Sequence, residues 1–297
     1  MPITSRFLDP LTDFGFKRLF GSEPDKDIMI DFLNVLFEGE KVIADISYSP
    51  TEINGASSKE KKVLFDLTCT GADGEKFIIE MQRTDQEFFS DRCVFYMSRL
   101  ISSQLAKDSS NWSSALSEVY LIGIMEFSFK ESDGDYLHNI KLANLKTGKV
   151  FHNGMGYKFL ELPNFDKSEA ELQTDLDKWF YVLKNLSSLD KIPAILDKRV
   201  FQKIFKIAEV SKMTKEEQEL YDSDLKAKSD WNAGIEWAKK QAAQEAFDEA
   251  SKEAEQRILQ IAHDLKMQIA RKLKQKGASD AEISELTELS LEEIKAL

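Results

Sequence analysis

The sequence predicts a mixed α/β domain followed by a long α-helical C-terminal extension. Residues 118–129, EVYLIGIMEFSF, form a continuous β-rich apolar run, the pattern of a strand buried on both faces. Helical patterns precede and follow that run, and shorter strand patterns lie between them. From Trp231 onward an apolar series recurs about every 3.8 residues, a helical period sustained over some forty residues.

The elements follow in order. Residues 12–37 read as helix, with Ser22 as a cap and Pro24 where an early helical proline is tolerated. The run IMIDFLNVLF is apolar nearly all round and predicts an interior helix. Residues 41–54 read as a first strand, with a loop at NGASSKE. A hairpin follows in KKVLFDLTCTGADGEKFIIEMQRTD, residues 61–85. Residues 85–107 read as helix, with Phe89, Cys93, Met97 and Leu100 on one stripe. After the buried strand come strands near IKLANL and YKFLEL. A helix over 168–187 follows, with Trp179, Phe180, Leu183 and Leu186 as its apolar side.

Residues 201–228 look helical and charged. The series Trp231, Ile235, Ala238, Ala242, Ala246, Ala250, Ala254, Ile258, Ile261, Leu265, Ile269 and Leu273 fits one amphipathic helix better than a heptad coil. Unbroken, it spans roughly 60 Å. Gly277 is its natural stop. Two capping boxes, Ser279 to Glu282 and Ser290 to Glu293, then open short helices in the manner of a small helix-turn-helix. Residues 279–297 hold six acidic residues and one lysine, a poor composition for gripping phosphates, so a packing or oligomerisation role is expected there. The expected domains are 1–200, a helical extension over 201–276 and a two-helix tail over 277–297.

Composition excludes several classes. The 297 residues are 42% hydrophobic and 31% charged, enough for a real core and not a disordered composition. No apolar run approaches the roughly 18 residues of a membrane span, and the first residues lack a signal-peptide pattern. Cys69 and Cys93 sit in apolar surroundings, as buried thiols of a reducing cytoplasm do. His138, His152 and His263 are scattered, which disfavours a zinc site. A net charge of −12 excludes a broad basic footprint for nucleic acid, so any such partner must be held locally, through a metal ion.

The hairpin carries the chemistry. Asp66 and Glu80 lie inside its two strands, where carboxylates are depleted. By alternation Val63, Phe65, Leu67 and Cys69 face one way, and Leu64, Asp66, Thr68 and Thr70 the other; on the second strand Ile78, Glu80 and Gln82 share a face. A two-residue Asp73-Gly74 loop pairs Asp66 with Met81 and splits the carboxylates. A three-residue loop at Ala72, Asp73 and Gly74, with Gly74 at positive φ, pairs Asp66 with Glu80. Two full charges about 5 Å apart at an effective dielectric near 20 repel by roughly 3 kcal/mol. Facing acids therefore need a proton or a cation between them, whereas acids on a solvated sheet face need neither. The apolar flanking residues Leu64 and Ile78 favour the first. Oxygen ligands without histidine or cysteine suit Mg²⁺ or Mn²⁺.

The order helix, strand, strand with an inward Asp, strand with Glu-x-Gln resembles the PD-(D/E)XK nuclease fold. The stretches DPLTDFGFKRLFG, DIMIDFLNVLF, FDLTC, IIEMQ and FLELPNF, within residues 7–187, resemble the recombination-promoting nuclease and transposase family of that superfamily; the tail from Arg271 is also similar to tails found there. The resemblance implies a restriction-endonuclease-like core, a mixed central sheet flanked by helices. It further implies metal-dependent endonuclease chemistry on DNA by in-line attack, leaving 5′-phosphate and 3′-hydroxyl ends.

Carried over by position, Asp66 and Glu80 are the metal-binding acids, joined by the Met81 carbonyl. Gln82 stands where the wider superfamily has lysine; it can orient a water but supplies no positive charge. Arg92, with Tyr96 and Arg99 at i+4 and i+7, is the candidate for that charge. Asp13 and Lys17, at i and i+4 in the opening motif, support the site or form an ordinary helix ion pair. Asp31 and Glu38 are alternatives for a further acidic ligand. The expectation is a cytoplasmic Mg²⁺-dependent (or Mn²⁺-dependent) DNA endonuclease, homo-oligomeric through its C-terminal helix. The competing expectation is a catalytically degenerate nuclease fold acting as an interaction module, and RNA remains open as a substrate.

Overall fold

The computed structural model describes residues 5–53, 63–84, 86–104, 116–130 and 133–297. The expected loop at NGASSKE and the outer ends of the 85–107 helix lie outside them. The chain divides into two compact units, 1–227 and 228–297.

In the first unit the early helical stretch is two helices, α1 (Asp13–Phe20) and α2 (Lys26–Leu36), joined by a single 3₁₀ turn over Glu23–Asp25. Thr12 caps α1, its hydroxyl accepting the Gly15 N–H at 3.0 Å. Ser22 makes no cap bond; its hydroxyl donates to Asp25 at 3.0 Å instead. Pro24 sits in the first positions of the 3₁₀ turn, which interrupts the expected continuous helix.

The strand expected over 41–54 is much shorter. It resolves into β1 (Ile46–Tyr48) and β2 (Glu52–Ile53), which flank Pro50, a residue that cannot donate to a ladder. β2 pairs with β3 (Val63–Leu64) in a separate two-stranded sheet. The hairpin proper is β4 (Leu67–Gly71) and β5 (Lys76–Gln82). Helix α3 (Phe89–Ser102) leads to β6 (Val119–Met125), followed by β7 (Leu137–Lys141) and β8 (Met155–Glu161). The main sheet has six strands in the order β1-β4-β5-β6-β8-β7. β5, β6 and β8 run parallel, and the remaining pairings are antiparallel.

Alternation along the strands builds two cores. Phe77 and Ile79 of β5, with Tyr120, Ile122 and Ile124 of β6, enter the larger one. There they meet α1, α2, α4 (Asp175–Asn185) and α5 (Arg199–Ala208) through Phe20, Phe32, Trp179 and Phe201. Ile78, Leu121, Met125 and Phe159 point to the other face, under the α3 stripe of Phe89, Cys93, Met97 and Leu100. Every residue of β6 is buried, as its unbroken apolar run requires. Gly123 is needed in this packing: a Cβ there would lie 2.7 Å from the Phe159 ring.

The first strand of the hairpin does not run through as alternation suggests. It breaks at Phe65–Asp66, where Asp66 occupies a bend. Phe65 consequently turns into the α3-side core, while Leu67 and Cys69 enter the larger one. Leu64, expected to cover Asp66 with an apolar neighbour, is 63% exposed.

Residues beyond 200 also pack on this unit. The Val210 N–H donates to the Arg6 carbonyl at 3.0 Å, and the Asp9 N–H donates to the buried Tyr221 hydroxyl at 2.6 Å. The long helix α6 (Lys215–Gln275) begins here and continues into the second unit.

In the second unit α6 stops before Gly277, at φ +87°, and both capping boxes form as the sequence predicts. They open α7 (Asp280–Thr287) and α8 (Leu291–Lys295). Ala270, Ile283, Leu289 and Ile294 make a small core joining these helices to the end of α6. Lys274 donates to the Ile294 carbonyl at 2.7 Å and stitches the tail down. No helix among the described residues is long and apolar enough to cross a membrane.

Candidate active site

The turn of the β4–β5 hairpin decides whether its acids meet. Gly71 N–H donates to the Glu75 carbonyl at 2.8 Å, and Gly74, at φ +86°, closes a loop of three residues, Ala72–Gly74. A side chain bearing Cβ would be strained at that φ, so glycine serves the bulge directly. Leu67 then pairs with Ile79, and one further step sets Asp66 opposite Glu80.

The bend at Asp66 tightens that juxtaposition. Its backbone N–H donates to Glu80 Oε1 at 3.3 Å, and its own carboxylate accepts the Met81 N–H at 2.7 Å. Glu80 is 7% exposed and Asp66 half-buried. Burial, and then the charge of Asp66, push Glu80 up to about 8; the Asp66 N–H and Arg92 only partly oppose this. Burial also raises Asp66, against the Met81 N–H, with Asp13 raising it further and Lys17 and Arg83 pulling it down. Both acids are therefore held toward their protonated forms by the protein alone. A cation between them would reverse that preference.

The donor set suits a hard divalent ion. The available atoms are carboxylate oxygens and a main-chain carbonyl. Cys93 lies close enough for Glu80 to act on it, but burial first and that charge second push its thiol up to about 12, so no thiolate competes. Among the described residues no group of three or more His, Cys, Asp or Glu side chains gathers into a metal cage. An ion held there by two carboxylates and a carbonyl would need water and substrate oxygens to complete its shell, which suits Mg²⁺.

The other expected residues take distinct places. Gln82 is 7% exposed; its amide donates to the Thr84 carbonyl at 3.0 Å. Arg92 reaches over from α3 and donates to Gln82 Oε1 at 3.4 Å, while its other terminal nitrogen binds Gln86. Its guanidinium lies 5.8 Å from the centre of the Tyr96 ring, and Tyr96 meets Phe65 edge-on at 5.3 Å. Arg99, seven residues beyond Arg92, stands about 10 Å further along α3. Asp13 and Lys17 form their ion pair at 2.7 Å, and both charges act on Asp66 across the space between α1 and the hairpin. Asp31 is engaged elsewhere, accepting from Trp179 at 3.0 Å and pairing with Lys198 at 2.6 Å. Glu38 is exposed just beyond α2. Sequence reasoning overlooked Arg83 and Gln86; the first directly follows the Glu-x-Gln motif, and the second is visible only once α3 folds over the strand.

Gln82, Met125 and Glu161 align across the C-terminal ends of parallel β5, β6 and β8. The crevice outside such strand ends is where open α/β sheets bind ligands.

A family model for PD-(D/E)XK nuclease family transposases matches residues 10–238. No curated protein matches the chain, and no solved structure does. PD-(D/E)XK nucleases generally use divalent metals, and a nuclease family implies a DNA substrate. The matched stretch carries the opening helices, the acidic hairpin and the mixed sheet, and the chain belongs to the PD-(D/E)XK nuclease family transposases.

Proposed function

We propose that the protein is a Mg²⁺-dependent DNA endonuclease that hydrolyses phosphodiester bonds in the cytoplasm and so promotes DNA recombination, with Mn²⁺ as the substitute ion. One observation carries this reading. Asp66 and Glu80 are brought side by side in a nearly dry spot, where both are driven toward protonation unless a cation joins them.

Asp66 and Glu80 would hold the ion, with the Met81 carbonyl as the third protein donor. When bound, the ion activates a water and neutralises charge on the phosphate. Gln82 Oε1 accepts a hydrogen bond from the attacking water and turns its lone pair toward phosphorus; the Gln82 amide is already anchored on Thr84. Arg92 supplies the positive charge that Gln82 lacks, and its planar fork suits non-bridging phosphate oxygens. Asp13 and Lys17 tune Asp66 through their charges. Self-association belongs to the same reading, through α6, where Ile258, Ile261, Leu265 and Ile269 form an exposed apolar stripe.

The test is incubation of purified protein with supercoiled plasmid in Mg²⁺, in Mn²⁺ and in EDTA, beside Asp66→Ala. Nicking that needs both the metal and Asp66 is the expected result. No nicking in either metal, with Asp66→Ala as stable as wild type, would overturn it.

A further inference from the structure

Beside Gln82 and Arg92 opens a cleft of about 1000 Å³ where Phe88, Phe89, Phe129 and His138 stand among polar side chains. Phe88 stands at its mouth, 65% exposed. Its backbone is left-handed, φ +67° and ψ +23°, a conformation that bulky side chains rarely adopt. The only other non-glycine residue at positive φ among those described is Glu288, an ordinary helix end after α7. Phe88 gains no burial in return for its strain. The conformation is held by its neighbours: Phe89 N–H donates to the Gln86 carbonyl, and Arg92 N–H to the Phe88 carbonyl, each at 3.0 Å.

Phe129 and His138 also line the cleft, and their rings meet edge to face at 5.8 Å. The fully buried Glu161 anchors the Phe129 main chain and stands beside His138. Its Oε1 accepts the Phe129 N–H at 3.3 Å and lies 2.8 Å from His138 Nε2. Three phenylalanine rings and an imidazole lining one cleft offer faces on which a flat aromatic guest can stack. Gln86 and Lys130 on the lining offer hydrogen bonds to a polar ring edge, while Glu87 and Asp91 repel a phosphate from the cleft itself. The cleft adjoins the candidate active site: one guanidinium, that of Arg92, contacts Gln82 on one side and Gln86 of the cleft on the other.

We propose that this cleft holds an unpaired nucleobase next to the scissile phosphate, so that the preferred substrate is DNA with unstacked or single-stranded nucleotides. The inference rests on the endonuclease reading and names its substrate class. A base inside a duplex cannot enter the cleft without leaving its stack and its pair, which favours strands that are already unpaired. The base stacks on the rings that line the cleft, Phe88 among them, and its phosphate stays on the Arg92 side.

Binding is measured by fluorescence anisotropy in Mg²⁺ on an Asp66→Asn background, which prevents turnover. The probes are a labelled single-stranded oligonucleotide, its duplex, and the same single strand with abasic positions. The parent protein is expected to bind the single strand more tightly than the other two. Phe88→Ala should lose about fivefold to a hundredfold of that affinity, the range for one stacked base, and Phe88→Trp should keep it. Phe88→Gly relieves the backbone strain, so its melting temperature should equal or exceed the parent's while its affinity falls. A merely structural Phe88 would lose both together. Equal binding of single strand and duplex, or Phe88 variants that bind like the parent, overturn the proposal. Phe88-dependent binding by a protein that nicks nothing would sink the endonuclease reading and leave the cleft assigned.

Discussion

Asp66 donates its backbone N–H to the Glu80 carboxylate at 3.3 Å, and this contact exists because the hairpin strand breaks one residue short of β4. An uninterrupted strand would present Asp66 as one more alternating side chain. The bend instead turns its carboxylate onto the Met81 N–H, beside the other acid.

That arrangement is costly without an ion and favourable with one. Mg²⁺ at about a hundredfold excess over its Kd should therefore stabilise the protein by about 2.7 kcal/mol, several degrees in melting temperature. Asp66→Asn should abolish the shift. In EDTA the same variant should be at least as stable as wild type, because burial already drives Asp66 toward its neutral form and asparagine is neutral, while its amide oxygen can still accept from Met81. Differential scanning fluorimetry with and without the metal checks both statements. An Asp66→Asn protein that still responds to Mg²⁺ would remove Asp66 from the site.

Gly123 tests the packing underneath. It pairs with Glu80 across the parallel β5–β6 ladder, and the Phe159 ring fills the space where its side chain would be. Gly123→Ala should destabilise by about 1–3 kcal/mol, as overpacked cores do, unless Phe159 retreats. The double variant Gly123→Ala with Phe159→Leu should recover part of the loss. Urea midpoints measure both, and additive losses would show that the two residues do not meet.

Away from the site, Asp177 contributes to the acid limb of stability. It accepts from Lys167 at 2.6 Å and from the Gln173 and Thr174 N–H groups at 3.0 Å each. Burial alone would raise its carboxyl, but these partners outweigh it and hold the group at about 2. A carboxyl lowered on folding contributes stability above its unfolded value near 3.8, and that contribution is lost as pH falls toward 2. The amount is about 2 kcal/mol, since each unit corresponds to about 1.4 kcal/mol. Asp177→Asn should cost about that much at pH 7, and its deficit should shrink between pH 4 and pH 2.5. Parallel pH profiles for the two proteins would show that the ion pair contributes nothing.

The sequence discloses local patterns and conceals the relations that tertiary packing decides. The all-buried β6, the α3 stripe from Phe89 to Leu100 and both tail capping boxes were legible, because each is a period or a short-range hydrogen bond. The hairpin register was legible only to within one residue, since Asp73-Gly74 and Ala72-Asp73-Gly74 are both sound turns. The break at Phe65–Asp66 was not legible. Val63, Phe65, Leu67 and Cys69 alternate without a fault, and only the two competing cores on opposite sheet faces draw Phe65 and Leu67 apart. The aromatic cleft was invisible as well, because Phe88, Phe129 and His138 come from three separate elements.

Arg92 and Gln82 are ten residues apart in sequence and meet only because α3 folds back over β5. The guanidinium divides its terminal nitrogens between Gln82 and Gln86, and its charge draws Glu80 toward ionisation. Arg92→Ala should lower nicking by about tenfold to a thousandfold, the range for one electrostatic donor at a transition state. Arg92→Lys should not restore it, since an ammonium on a flexible stem cannot span both amides. Gln82→Leu removes the acceptor proposed for the attacking water but leaves the two acids intact, so nicking should fall while the Mg²⁺ shift in melting temperature survives. A Gln82→Leu protein that nicks like wild type would move the water-positioning role to another residue. An Arg92→Lys protein with full activity would reduce Arg92 to a bulk positive charge.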